Sequence, residues 1–374
     1  MRILYILTSL GIGGAEKQVV SLAEHMSARG HTVAFLVLRH SAEEWPVKLP
    51  VLRLNLARSP FSILRGIRFA RSFVVLFQPE ILHSHTFPAN VFTRLMRIGI
   101  RINGVSPAVV NTIHNVHEGG LHRMAAYALT SSCVDRVTAV SEAAAERFIR
   151  LRAVPQHKMT VITNGIDTSE FKPDSGRRKV VRNRMQLGTS FLWLAVGRLV
   201  PAKDYPNLLR AFQALLQAQP QARLCIAGEG DPETLLTSHS DVLPTASSIQ
   251  WLGLRRDIAD LFDAADGFVL SSAWEGMPLV IGEAMSMGKP VVATNVGGVA
   301  ELMGDTGMVV PPANSKALTA AMLAVMQSDE SKRKRLSIAA RERIAKSFSL
   351  QARAEQWESF YMESLVRLSH ERSR

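Results

Sequence analysis

The sequence predicts an α/β protein of two Rossmann-like parallel-sheet domains facing a central cleft. Three observations carry this reading. Short apolar runs alternate with helical patterns along most of the chain, which is how a parallel sheet covered on both faces reads. One stretch rich in Gly, Pro, Asp and Ser, residues 164–178 (NGIDTSEFKPDSGRR), interrupts the series as a linker would. With 374 residues the chain is long enough to bury two separate cores.

The first series opens with ILYILT at 3–8. Helical periodicity follows through Val19, Val20, Leu22, Ala23 and Met26, and Gly30 ends it. Strand-like runs recur at 32–38, 80–84, 108–113, 136–140 and 159–162. The second series has runs at 191–196, 223–227, 249–252, 267–270, 291–294 and 307–310. Domains of 1–170 and 171–349 follow, and the carboxyl ends of both sheets are expected to face the cleft.

The formal net charge is +12, and it is uneven: residues 1–175 hold 20 Lys+Arg against 12 Asp+Glu, the remainder 24 against 20. A basic balance attracts nucleic acid, anionic lipid or phosphorylated substrates. No zinc-finger, RRM or homeodomain pattern is present, so nucleic acid is not expected as a partner. Two cysteines, Cys133 and Cys225, imply neither a disulfide framework nor a metal cluster. No apolar run approaches the roughly 18–20 residues that span a bilayer. The start, MRILYILTSLGIGGAEKQ, has too short an apolar core for a signal peptide, and its Gly-Gly-Ala-Glu reads as a strand-to-helix turn. Retention in the cytoplasm is expected.

The chemistry concentrates in 271–298, SSAWEGMPLVIGEAMSMGKPVVATNVGG. An apolar strand ends at Ser271 and Ser272, and Gly276 and Pro278 mark a turn. Pro278 suits the first helical position, where no amide hydrogen is needed, and Gly288 and Pro290 stop the helix. The free N–H groups of such a helix start suit a phosphate. Glu275 just before it and Glu283 about two turns in are placed to reach the sugar parts of the same ligand. Arg198 and Lys203, in VGRLVPAKDYPN after the first strand of the second series, offer a guanidinium fork and a point charge for a diphosphate. Gly11-Ile-Gly-Gly-Ala-Glu16 follows the first strand and opens a helix, and Gly13 and Gly14 allow close backbone approach. His83 and His85 end one strand and His114 another; by residue type alone they could bind metal, but no closed ligand set is evident.

Glu275, seven residues, then Glu283, within WEGMPLVIGEAMSMGKPVVATNVGGVAEL, resembles the E-x7-E region of retaining GT-B glycosyltransferases of family 4. The G-R-x4-K of 197–203 and the N-G-I-D of 164–167 are similar to that family's pattern as well. The resemblance implies a GT-B fold whose last helix, about 350–374, returns to the first domain. It implies a sugar transferred with retention from a nucleotide-sugar donor, UDP-linked by family habit, to a glycan or polyprenyl-linked acceptor in cell-envelope or exopolysaccharide synthesis. No cofactor or essential metal is implied. Arg198, Lys203 and backbone N–H groups near Met277 to Leu279 would surround the diphosphate, with Gly276 and Pro278 in the same turn; Glu283 would take the ribose hydroxyls, and Glu275 would face the transferred sugar. Gly13, Gly14, Glu229 and Leu254 complete the expected donor contacts, Leu254 beside the base. His114 aligns with a family histidine next to the reacting sugar, and His85 and His117 stand behind it as candidates. Glu275 is not expected to be a covalent nucleophile, because the paired-carboxylate scheme needs two acids about 5 Å apart across one bond.

Two other classes remain open on sequence: a nucleotide-sugar 2-epimerase, which needs no acceptor, and a non-catalytic nucleotide-sugar-binding subunit. The combined R-x4-K and E-x7-E patterns argue against both. Residues 61–77, FSILRGIRFARSFVVLF, set Arg65, Arg68 and Arg71 beside Phe61, Ile63, Leu64, Ile67, Val74 and Val75. Arg94, Arg97 and Arg101 are expected on a second helical face. Basic helices with apolar surface suit peripheral contact with an anionic membrane. The alternative is that each apolar face packs on its own sheet.

Overall fold

Two wholly parallel sheets organise the chain in the computed structural model, which describes residues 1–102, 106–237 and 248–372. Residues 373 and 374, the tip of the expected last helix, lie outside the described residues. One unit comprises Met1–Gly165 with Leu350–Arg374, the other Ile166–Ser349. The division thus falls at 165/166, where the sequence reading places it at 170/171.

The sheet of the first unit contains β1 (Arg2–Leu7), β2 (Thr32–Val37), β3 (Val51–Arg53), β4 (Ile81–His85), β5 (Ala108–Ile113), β6 (Arg136–Ala139) and β7 (Met159–Val161). Its order is β3-β2-β1-β4-β5-β6-β7. Ile3 pairs with Val33 on one side and Ile81 on the other. The apolar runs arise because both faces are covered. Leu4, Ile6, Leu82 and Val109 pack beneath helices Pro60–Phe77, Phe87–Arg97, Leu121–Leu129 and Glu142–Arg150. Ile3, Tyr5, Ile81 and Val110 pack on the opposite face with Val19, Leu22 and Met26 of helix Gly14–Ala28. Ala354, Trp357, Phe360 and Tyr361 of helix Leu350–Arg372 join that second face. Full burial of each large side chain is worth about 2 kcal/mol, so the last helix is held by a substantial apolar contact. Strand β3 is absent from the sequence reading: it is three residues long and only partly buried at the sheet edge, so it leaves no apolar run.

The second unit contains β8 (Leu192–Val196), β9 (Arg223–Ala227), β10 (Ile249–Gly253), β11 (Gly267–Leu270), β12 (Val291–Thr294) and β13 (Met308–Val310), in the order β10-β9-β8-β11-β12-β13. Its core gathers Trp193, Leu208, Phe212, Leu224, Val269, Val292 and Met322. Part of the expected linker is regular structure. Asp174 accepts from the N–H groups of Gly176 and Arg177 (2.8 and 3.0 Å) and so starts helix Ser175–Arg184. Arg178 and Arg182 of that helix pair with Asp266. In each sheet the strand order reverses beside its first strand, between β1 and β4 and between β8 and β11. Ligands of open parallel sheets collect at such points, outside the carboxyl ends of the strands.

The expected basic face around Arg94, Arg97 and Arg101 does not exist. Arg94 is fully buried, donating to Asn111 Oδ1 (2.6 Å), Tyr127 O (2.8 Å) and Thr130 Oγ1 (3.0 Å). Arg97 pairs with Asp135 at 2.9 Å, and the helix ends at Arg97, before Arg101. A buried guanidinium needs such partners, and those from Asn111, Tyr127 and Thr130 come from elements distant in sequence.

Candidate functional site

In the second unit the loops leaving β8, β9 and β10 continue the sheet as a backbone ladder. Gly197 N donates to Ala227 O (2.9 Å), Leu199 N to Glu229 O (2.7 Å) and Gly228 N to Gly253 O (2.8 Å). The approach is so close that a Cβ on Gly228 would stand 1.9 Å from Gly197 O. Only glycine tolerates that separation. Tyr205 is buried beneath and donates its hydroxyl to Gly197 O (2.7 Å); burial, and then the Glu275 charge, push that hydroxyl far above its usual pKa.

The loop after β11 is stitched to the loop after β8 across the strand-order reversal. Ser271 Oγ donates to Lys203 O (2.8 Å), and Ala273 N donates to Ala202 O (2.8 Å). This brings Lys203 Nζ to 2.5 Å from Glu275 Oε1, which also accepts from Ser272 Oγ (2.7 Å). Both side chains are largely shielded, Lys203 at 18% and Glu275 at 12% exposure, so their attraction is screened less than on an open surface. The loop after β12 closes on the same segment from behind. Gly298 N donates to Gly276 O (2.7 Å), and a Cβ on Gly297, at φ +54°, would lie 2.4 Å from Glu275 O.

Beyond Glu275 the chain enters helix Leu279–Ser286. Pro278 is its N-cap and Leu279 its first residue, so Pro278 stands one position earlier than the sequence suggests. Glu283 therefore lies just over one turn into the helix rather than two, and it is buried. Gly276, Met277, Pro278 and Leu279 are buried as well. Arg198 is exposed in the loop after β8, Glu229 is exposed after β9, and Leu254 is exposed directly after β10. Arg198, Lys203, Glu229, Leu254 and Glu275 thus all stand at the carboxyl edge of one sheet, next to the helix that carries Glu283. Among the described residues, no group of three or more His, Cys, Asp or Glu is gathered as a metal site.

Gly13 and Gly14 belong to the first unit, where Gly13 is the extended N-cap of helix Gly14–Ala28 and Gly14 its first residue. Gly13 O accepts from Lys17 N (2.9 Å) and Trp45 Nε1 (3.3 Å). Thr8 and Thr86 join their hydroxyls at 2.8 Å across the β1/β4 reversal, with Thr86 at φ +68°. His114 follows β5 and lies 2.9 Å, Nε2 to Nδ1, from His85 at the end of β4. Burial holds His114 down to about pH 4 and His83 and His85 well below the usual imidazole range, so all three are neutral near pH 7. His117 is exposed, on the loop beyond His114.

Glu118, absent from the sequence reading, is buried beside His114: its Oε1 accepts the His114 backbone N–H (3.2 Å) and its Oε2 the Tyr127 hydroxyl (2.8 Å). Burial pushes its carboxyl up to about 7. The spacing His-x3-Glu carries no signal by itself, since Tyr127 completes the arrangement from another helix. Ser271 gains its role in the second unit in the same way, through Lys203 O, a partner far along the chain.

Residues 12–170 match the family model described as Glycosyltransferase Family 4, and residues 190–328 match the model described as Glycosyl transferases group 1. The two leave unmatched only 1–11, 171–189 and 329–374. An Escherichia coli UDP-Gal:alpha-D-GlcNAc-diphosphoundecaprenol alpha-1,3-galactosyltransferase is 30% identical over 230 residues, 59% of this chain; the chain spans 58% of that enzyme's length. The D-inositol 3-phosphate glycosyltransferase of Kineococcus radiotolerans is 27% identical over 393 aligned residues, covering 92% of this chain and 88% of that one. The crystal structure of Anabaena HepE with UDP and glucose superposes with a TM-score of 0.83 at 22% identity, covering 97% of this chain and 100% of that one.

Proposed function

We propose that this chain, which belongs to the group 1, family 4 glycosyltransferases and has their GT-B fold, moves a sugar with retention from a nucleotide-sugar donor to a glycan or polyprenyl-linked acceptor. The observation that carries the reading is the Lys203–Glu275 pair at the β8/β11 reversal, beside the start of helix Leu279–Ser286. A cation, a carboxylate and a helix N-terminus meet there at the carboxyl edge of a parallel sheet, and a nucleoside diphosphate-sugar presents an anion and hydroxyls to match.

In this reading Lys203, exposed Arg198 and the backbone N–H groups of Met277 and Leu279 take the diphosphate; Pro278, which has no N–H, shapes the turn. Glu283 accepts the ribose hydroxyls. While the site is empty Glu275 neutralises Lys203. An arriving diphosphate competes for Lys203 and leaves Glu275 to accept hydrogen bonds from the transferred sugar. As the glycosidic bond breaks, negative charge grows on the leaving diphosphate, and fixed cations stabilise that state more than the ground state. The leaving phosphate helps remove the acceptor proton as the new bond forms on the same sugar face, and Lys203 and Arg198 are the cations assigned to the diphosphate, with no metal or cofactor included in the proposal. UDP as carrier is supported by the names of the Escherichia coli relative and of the HepE complex. The former also supports a lipid-linked acceptor.

A lipid-linked acceptor gives helix Pro60–Phe77 a purpose as a peripheral contact with anionic membrane on the cytoplasmic side. The helix turns Ile67, Ala70 and Val74 to the core, yet Phe61, Leu64, Phe69, Val75 and Leu76 stay exposed beside Arg65 and Arg68. Arg71 is spent on Met96 O and Ile98 O. No helix among the described residues is long and apolar enough to cross a membrane. The test is transfer of radiolabelled sugar from a UDP-sugar panel into membrane lipid extract, with the product anomer read by NMR. Label in lipid with the donor's anomeric configuration is expected; an inverted anomer contradicts retention, and an epimerised donor without transfer would sink the transferase reading.

A further inference from the structure

The carboxyl ends of β4 and β5 place two imidazoles in direct contact. His85 Nδ1 lies 2.9 Å from His114 Nε2. The rest of His85 is enclosed, stacked on Tyr5 with ring centroids 5.9 Å apart and 4.0 Å from His83, and its Nε2 is buried without a partner. His114 is half-buried, and its remaining ring nitrogen, Nδ1, neither bonds within the protein nor falls among the buried unpartnered atoms. That nitrogen is reachable by a ligand. The Glu118 carboxylate, braced by Tyr127, fixes the backbone of His114 from behind.

Each neutral ring carries one proton, so the contact has two arrangements. If His114 Nε2 holds the shared proton, the proton of His85 must sit on Nε2, making a buried N–H with no acceptor. Folded proteins keep an orphaned buried N–H more rarely than an under-satisfied acceptor. If His85 Nδ1 holds it, His85 Nε2 is a bare lone pair and the proton of His114 sits on Nδ1. We infer that His85 is a positioning residue: it donates its Nδ1–H to His114 Nε2 and thereby sets His114 as an Nδ1–H donor toward an oxygen of a hydroxyl-bearing ligand. The identity of that ligand as a sugar rests on the proposed transfer reaction; the proton assignment does not.

Imidazole 15N chemical shifts of histidine-labelled full-length protein, free of ligand, read the tautomer directly, with the His114 signals assigned by their loss in His114→Asn. The wild type is expected to show His114 protonated on Nδ1. His85→Asn keeps this state, because its side-chain amide places an N–H near the original Nδ1, whereas His85→Leu gives a mixture of tautomers. With UDP-glucose as donor probe, His85→Leu lowers kcat roughly tenfold, the scale of one misdirected neutral hydrogen bond, with KM unchanged, and His85→Asn restores it. A proton on His114 Nε2 in the wild type, or an unchanged His114 tautomer in folded His85→Leu, overturns the assignment. If His85→Leu does not fold, the wild type and His85→Asn decide. The spectra need no substrate, so a failed transfer assay and a failed tautomer assignment are told apart.

Discussion

The two units hold their polar groups in opposite ways. In the second unit, loops after β8, β9, β11 and β12 are locked by backbone hydrogen bonds and glycine contacts, and the chemistry-bearing side chains stand at the rim. In the first unit they lie inside the sheet. His83 bonds Tyr361 and Thr112 (2.7 Å each), Thr112 bonds Thr138 (2.7 Å), and Asn90 links Ser84, Thr112 and Tyr127. A backbone-built site depends on shape at a few glycines. A site built from buried side chains depends on protonation, because each group is kept in one charge state by loss of water.

The largest expected effect separates these modes. Gly228→Ala forces a Cβ against Gly197 O and is expected to cost the second unit more than about 3 kcal/mol by urea unfolding. Gly13→Ala, at extended φ with only the end of the Glu16 side chain in the way, is expected to cost less than about 1 kcal/mol. Equal costs would erase the contrast. Next, Lys203→Ala is expected to lower kcat/KM by about a hundredfold or more, as loss of a fixed charge-stabilising donor does. Arg198→Ala, more exposed, should cost less, and the kinetics of the two variants rank the cations.

Acid stability probes the first unit. His114 titrates near 4 when folded and near 6.5 when unfolded, so the unfolded chain binds more protons between those values. The stability of the neutral ring is therefore full above pH 6.5 and falls as pH drops toward 4, by up to about 3 kcal/mol for this residue. His83 and His85 act in the same direction. Glu118, raised to about 7, acts oppositely, gaining stability as pH falls from 7 toward its ordinary value. Glu118→Gln is thus expected to steepen the loss on acidification, measured as unfolding midpoint against pH; an unchanged slope counts against the burial argument. The smallest effect is at the surface: Arg65→Gln or Arg68→Gln alone should weaken binding to phosphatidylglycerol vesicles by about 1 kcal/mol, with melting temperature unchanged.

Legibility in the sequence followed the same divide. Runs at 108–113, 223–227, 267–270 and 291–294 coincide with strands because burial on both faces leaves a largely apolar signature. Glu275, Glu283, Arg198 and Lys203 are legible as candidates because loop and helix-start residues sit in a local pattern with glycine and proline. Glu118, Tyr127 and the His85–His114 contact are not, since their meaning comes from strand pairing between β4 and β5 and from helix Leu121–Leu129. Arg94 misled for the same reason: helical spacing shows which residues share a face, and not that Asn111, Tyr127 and Thr130 wait beneath it.

In the proposed function the second unit binds a nucleotide-sugar through Lys203 and Glu283. Calorimetric titration of UDP and UDP-sugars into wild type, Lys203→Ala and Glu283→Gln, each checked for folding, tests it most directly. Saturable binding to the wild type and at least about tenfold weaker binding in each variant are expected, the scale of one lost charged hydrogen bond. Unchanged affinity in both folded variants, or no binding of any nucleotide by the wild type, would contradict it.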